Sequence, residues 1–134
     1  MADLFFYGTL CHVPLLELVL GRPRDRITLR DAVLHGHAAR WAKDEAFPMI
    51  LPETGSSAPG LLAEGLSEED VARLRFYEGG FEYDLDPVEV QAGDDRVSAK
   101  VFLAGEGRWQ PSERWSLTDW QKRWAPISSL RPDM

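Results

Sequence analysis

The chain lacks most of the features that would commit it to a membrane, a disulfide scaffold or a polyanion. Cys11 is the one cysteine among 134 residues, so no disulfide can form within the chain, and a reducing, cytoplasmic setting is expected. No apolar run approaches the ~20 residues needed to span a bilayer. Met1-Ala2-Asp3 opens without the basic leader of a secretory signal. Basic residues are the minority, 15 against 22 acidic ones, giving a net charge of −7 and a pI near 4.9. Such a surface repels phosphate backbones, so neither nucleic acid nor an anionic membrane is an expected partner. There is no internal repeat and no low-complexity segment.

What remains is an ordinary globular composition, 44% hydrophobic, at a length that fits one domain. Leu4 to Tyr7 reads as a buried strand, Gly8-Thr9 as a break, and Leu10 to His12 as a loop. Pro14 to Leu20 reads as a short helix, with Pro14 suited to its first turn and Gly21 to its end. Arg22 to Arg26 is a polar connector. Ile27 to Trp41 is one long bent strand or two short ones, and Gly36 within it marks a bulge or a close backbone approach. Phe47 to Leu51 is a further strand, pushed toward an edge by Pro48. Pro52 to Pro59 has the composition of a loop, and Gly60 to Ala63 leads into the next helix. Tyr83 to Val90 and Arg96 to Leu103 form a hairpin across Gly93-Asp94-Asp95. The order of elements is mixed rather than regularly alternating, so the expected fold is α+β, a small mixed β-barrel with flanking helices. The barrel is expected over residues 1–105. Residues 106–134 form a tail rich in tryptophan (Trp109, Trp115, Trp120, Trp124), with a short helix beginning at Ser116 or Thr118 and running through Arg123. Those indoles need cover, from the barrel or from a partner, and the tail also suits a connector to a further domain.

Ser67 to Gly80 reads as a helix with defined ends. Ser67 caps it, Glu68, Glu69 and Asp70 suit the dipole of its first turn, and Gly79-Gly80 stop it. Val71, Leu74 and Glu78 share one face at helical spacing. Glu78 therefore stands on the apolar face, in the last turn, beside the negative end of the dipole. Both surroundings disfavour its charged form and fit a general acid or base. The plainer reading is an exposed Glu78, or one paired with Arg73 or Arg75. Tyr7-Gly8-Thr9-Leu10 is either a simple strand-to-helix turn or a cradle that aims amides at a carboxylate. Its spacing excludes a phosphate-binding P-loop. His12, His35 and His37 invite a metal reading that the spacing supports weakly. Cys11 reads as a small apolar filler, and Thr9 has no activating base in view.

Tyr7-Gly8-Thr9-Leu10 together with Tyr77-Glu78-Gly79 resembles the γ-glutamylcyclotransferase-like family, also called the avirulence-induced-gene-like domain. Ala32 to His37, Phe47 to Ile50, Gly60-Leu61-Leu62 and Tyr83 with Val88-Glu89-Val90 extend the resemblance over residues 4 to 104. The chain departs from the family at Arg75, where an acidic residue is frequent, at Asp84-Leu85, and at Cys11-His12. The resemblance implies a small mixed barrel and the cyclisation of a small γ-glutamyl compound to 5-oxoproline with release of an amine or amino acid. It places the catalytic glutamate at Glu78 and the substrate cradle on Tyr7, Gly8, Thr9 and Leu10, with Tyr83 lining the pocket. It requires no metal and no organic cofactor. Some bacterial proteins with this opening continue into a Nudix hydrolase domain, some of them linked to tellurite resistance. The rival expectation is accordingly a non-catalytic binding or accessory domain of a longer protein. A downstream domain or a second copy of the chain are the macromolecular partners left open.

Overall fold

Alternation along the first strand sets the layers. In β1 (Ala2–Phe6), Leu4 and Phe6 point to one side and Phe5 to the other. The structure, a computed structural model, describes residues 2–42, 48–77, 83–104 and 111–123. The remaining strands are β2 (Thr28–Ala42), β3 (Pro48–Leu66), β4 (Tyr83–Ala92), β5 (Asp95–Ala104) and β6 (Pro111–Arg114). They pair in the order β3-β1-β5-β4-β2-β6, and an additional β3–β2 pairing closes the first five into a barrel. β1 runs antiparallel to β3 and parallel to β5, with Leu4 opposite Lys100. Closure removes the exposed edges that an open sheet of this size would carry.

Phe5, Leu34, Leu62, Val90 and Val101 fill the barrel interior. On the outside of β1, Leu4, Phe6 and Phe102 pack with residues of α1 (Val13–Leu20) and α2 (Glu68–Tyr77), among them Leu16, Leu20 and Leu74. The spacing of Leu16 and Leu20 is the i, i+4 stripe that a surface helix buries. Pro14 lies in the first turn of α1, and Gly21 ends it in the left-handed region at φ 73. Gly60 is required where β3 passes β1, because a Cβ there would collide with the Phe6 carbonyl and come within 2.8 Å of Phe5 Cζ.

Of the two readings of Ile27 to Trp41, one bent strand or two short ones, the structure has the first, β2, and Gly36 is its bulge. The β2–β3 register jumps from His35 opposite Ser57 to His37 opposite Pro52, and Gly36 takes φ 76 with open space where its Cβ would be. Pro52 to Pro59 is a correction: it continues β3 rather than forming a loop. Its turn-forming residues serve the bend, since residues 53–56 stand against Gly36 alone and Gly55 takes φ 84. Where Gly8-Thr9 reads as a break and Leu10 to His12 as a loop, Thr9–Cys11 form a single 3-10 turn, and a second such turn interrupts the connector at Arg24–Arg26.

β6 was not apparent in the sequence. β2 pairs β4 at Val33 and β6 at Arg40 and Ala42, so β6 takes the same edge beyond the bulge. α3 (Leu117–Arg123) follows, capped by Ser116, whose Oγ accepts from the Asp119 amide at 3.1 Å. Trp115 and Trp120 are buried with Ala39 and Trp41, covered by the barrel as the tail reading allowed. Trp109 and Trp124 lie outside the described residues. Among the described residues no helix is long and apolar enough to cross a membrane.

Candidate active site

Helix α2 is fixed at both ends. At its start Ser67 and Asp70 cap each other: the Asp70 amide donates to Ser67 Oγ at 3.1 Å and the Ser67 amide to Asp70 Oδ2 at 3.0 Å. Asp70 is buried, 7% exposed, and accepts both arms of the Arg22 guanidinium at 2.5 and 3.0 Å. Arg22 beside Asp70 holds its carboxyl below the usual range, against the opposing effect of burial, and the Ser67 amide adds to the lowering. The sequence reading has Ser67 as the cap and Asp70 as first-turn charge; the return bond from the Ser67 amide to Asp70 is added by the structure. The Arg22 pairing, 48 positions away, left no local signal.

At its other end α2 meets the first turn. Thr9 Oγ1 and Tyr77 Oη are hydrogen-bonded at 2.8 Å. Tyr7 Oη donates to the Phe102 carbonyl of β5 at 3.3 Å, and the Arg75 guanidinium lies over the Phe102 ring, 6.0 Å from its centroid. A closed circuit results. It runs from Tyr7 through Gly8 to Thr9, across to Tyr77, back along the helix to Arg75, over to Phe102 and back to Tyr7. β4 begins at the same end, with Leu85 opposite Phe102 and Tyr83 opposite Ala104. Glu78, the residue after Tyr77, lies outside the described residues, as do Gly79 and Gly80 and the side chain of Tyr83.

The structure thus brings together Tyr7, Gly8 and Thr9, Tyr77 as the final residue of α2, and the strand that starts with Tyr83. Leu10 differs in kind. Its side chain is buried with Phe6, Leu16 and Leu74, so what it can offer a ligand is backbone. The first turn uses the Cys11 and His12 amides on the Gly8 and Thr9 carbonyls, both at 3.0 Å. The amides that open such a turn have no partner within it. The sequence offers Arg75 only as a departure from the family and a candidate partner of Glu78, and Tyr77 only as part of the Tyr77-Glu78-Gly79 resemblance; the circuit sets both beside the first turn.

The other candidates separate from this end. Cys11 Sγ donates to the Phe6 carbonyl at 3.1 Å, and burial pushes its thiol up to about 12, as befits a filler rather than a nucleophile. The described partner of Thr9 is a phenol, not a base. The three histidines do not converge. His12 meets Gln121 at 3.0 Å and lies edge-on to Trp120. His35 bridges Ser57 and Gln91 at 3.0 and 2.8 Å, and His37 faces the His35 carbonyl at 3.1 Å. Among the described residues no three His, Cys, Asp or Glu side chains are grouped as metal ligands. Arg73 is paired with Glu69 at 3.4 Å.

Known proteins agree with this architecture. The sequence profile of the family described as gamma-glutamyl cyclotransferase, AIG2-like, matches residues 4–122, beyond the 4–104 of the resemblance. AIG2-like protein C of Arabidopsis thaliana is 25% identical over 128 residues, covering 90% of this chain and 69% of that protein. A solution structure of an Arabidopsis thaliana protein superposes with a TM-score of 0.71 at 20% identity, covering 98% of this chain and 87% of the other. A structure named gamma-glutamyl cyclotransferase superposes with a TM-score of 0.66 at 12% identity, covering 82% and 69%. At those identities the two structures establish the shared fold.

Proposed function

The chain belongs to the gamma-glutamyl cyclotransferase, AIG2-like family, and from that premise we propose that it cyclises a small γ-glutamyl compound to 5-oxoproline, releasing an amine or amino acid. Glu78 is the acid/base. It takes a proton from the substrate α-ammonium, freeing the amine to attack the γ-carbonyl of the same molecule. As the tetrahedral intermediate collapses, Glu78 gives its proton to the leaving nitrogen and the bond to that nitrogen breaks; the freed carboxylate then takes the extra proton of the new ring nitrogen and passes it to the departing amine, which leaves as an ammonium. Because nucleophile and carbonyl belong to one molecule, the protein's task is to hold them in a near-attack geometry. Amides of the first turn bind the glutamyl carboxylate or the developing oxyanion. Tyr7, Gly8, Thr9 and the Leu10 backbone form that cradle, and Tyr83 lines it. The reaction as written draws only on an acid/base and hydrogen-bond donors.

The observation that carries this reading is the 2.8 Å bond between Thr9 and Tyr77, which ties the turn to the residue preceding Glu78. Incubation with a panel of γ-glutamyl amino acids tests it. The wild-type protein is expected to release 5-oxoproline, and Glu78→Gln is expected to abolish release. Equal release by both proteins would remove Glu78 from the mechanism.

A further inference from the structure

Six arginines among the described residues meet a carboxylate: Arg22, Arg30, Arg40, Arg73, Arg96 and Arg114. Among the described residues Arg24, Arg26 and Arg75 do not, and of these three Arg75 is the one that lies over an aromatic ring, that of Phe102. A guanidinium held over an aromatic face keeps its N–H donors directed outward in its own plane, where they match a carboxylate two at a time. Arg75 is exposed, and it belongs to the circuit that joins Tyr7, Thr9, Tyr77 and Phe102. An anchored cation, open to solvent and with no counter-charge among the described residues, stands at the end of the barrel where the substrate is to bind.

We infer that Arg75 is a specificity-determining residue that receives a carboxylate on the leaving portion of the substrate, so that the protein selects γ-glutamyl amino acids over γ-glutamyl amines. This rests on the function proposed above and deepens it. A γ-glutamyl amino acid carries two carboxylates, one on the glutamyl group and one on the departing amino acid. The first-turn amides serve the glutamyl carboxylate, which leaves the departing one for Arg75.

The test compares γ-glutamylalanine with γ-glutamylethylamine, which share the glutamyl group and differ by the leaving-group carboxylate. Calorimetric binding and 5-oxoproline release are both measured for wild type, Arg75→Gln and Arg75→Lys. Wild type is expected to favour γ-glutamylalanine by roughly tenfold or more, the scale of a charge-assisted pair. Arg75→Gln is expected to remove that preference, its loss on γ-glutamylalanine exceeding its loss on γ-glutamylethylamine by roughly tenfold. Arg75→Lys, which keeps the charge without the fork, is expected to retain part of it. An equal loss on both ligands would show that Arg75 serves the glutamyl group or the helix, and would overturn the inference. Absence of a wild-type preference, or of binding to either ligand, would overturn it as well. Arg75-dependent discrimination in binding without any 5-oxoproline would sustain this inference and refute the cyclisation.

Discussion

Thr9 and Tyr77, 68 positions apart in the chain, share a hydrogen bond of 2.8 Å. It joins a turn that follows the first strand to the last residue of α2, two segments whose separate roles mean little unless they meet. The bond is exposed, so its contribution to global stability is small, on the order of 1 kcal/mol or less.

Its contribution to activity is expected to be larger. Tyr77→Phe and Thr9→Val should each lower kcat/KM for a γ-glutamyl amino acid by about tenfold, with melting temperature nearly unchanged. Thr9→Ser, which keeps the hydroxyl, should retain most of the activity. The double variant should be no worse than the poorer single one, because both remove the same bond. Steady-state kinetics on the four proteins checks this, and additive losses would show that the two side chains act separately.

Asp70 makes a prediction about acid. Its folded-state carboxyl titrates below the ordinary range, chiefly through Arg22, whereas in the unfolded chain it titrates near ~3.9. The stabilisation is therefore fully present above about pH 4 and is lost as pH falls through the folded value. Asp70→Asn keeps the volume and loses the charge. It should be less stable than wild type by about 2–3 kcal/mol at pH 7, and the gap should narrow steadily below about pH 4. Urea unfolding from pH 7 to pH 3 measures it. A gap that stays constant with pH would mean that Arg22 does not hold the Asp70 charge.

The contrast between these two contacts and the rest of the fold shows what a sequence can carry. Helix ends were legible because their chemistry is local: Pro14 and Gly21 around α1, and the Ser67 cap on α2. The bulge at Gly36 was legible because glycine within a strand pattern has few other uses. Pro52 to Pro59 was misread because its proline, glycine and serine serve a bend within a strand, and a bend and a loop call for the same residues. β6 was invisible because Pro111 to Arg114 has no alternation of its own. The strand exists only because β2 bends and leaves an edge beyond Val33 to be paired. Within the site, Tyr7, Gly8 and Thr9 belong to one motif and Tyr77 to another, but the bond that joins the two, and the place of Arg75 over Phe102, follow only from partners at a distance.

Gly60 offers a test of the closed barrel. Its missing side chain lets β3 pass close to β1, where the nearest groups are the Phe6 carbonyl and the Phe5 ring. Backbone cannot yield as a flexible side chain can, so Gly60→Ala should cost about 2 kcal/mol or more and shift the denaturant midpoint accordingly. Gly65→Ala is the control for backbone conformation alone, having φ 69 but open space beside it, and should cost less, about 1 kcal/mol. Equal losses at the two positions would show that the close approach at Gly60 is not what demands glycine there.

The tryptophan-bearing segment is bound to the barrel by burial rather than by sequence proximity. Trp115 is 8% exposed and Trp120 5% exposed, and Trp41 of β2 meets Trp115 edge-on at 6.2 Å. Tyr7 and Leu15 pack against the same cluster, so the indoles support the residue that opens the candidate cradle. Removing one should therefore be felt twice. Trp120→Ala should lower stability by about 3–4 kcal/mol through the cavity it leaves. It should also reduce kcat/KM by loosening Tyr7, whereas Trp120→Phe should do less of both. If the segment is an integral part of the barrel, tryptophan fluorescence and far-ultraviolet circular dichroism will report one coincident unfolding transition in the wild-type protein. Two separated transitions would instead make residues 111–123 an independent unit, and the indoles would then not be what supports Tyr7, whose bond to the Phe102 carbonyl ties it to β5.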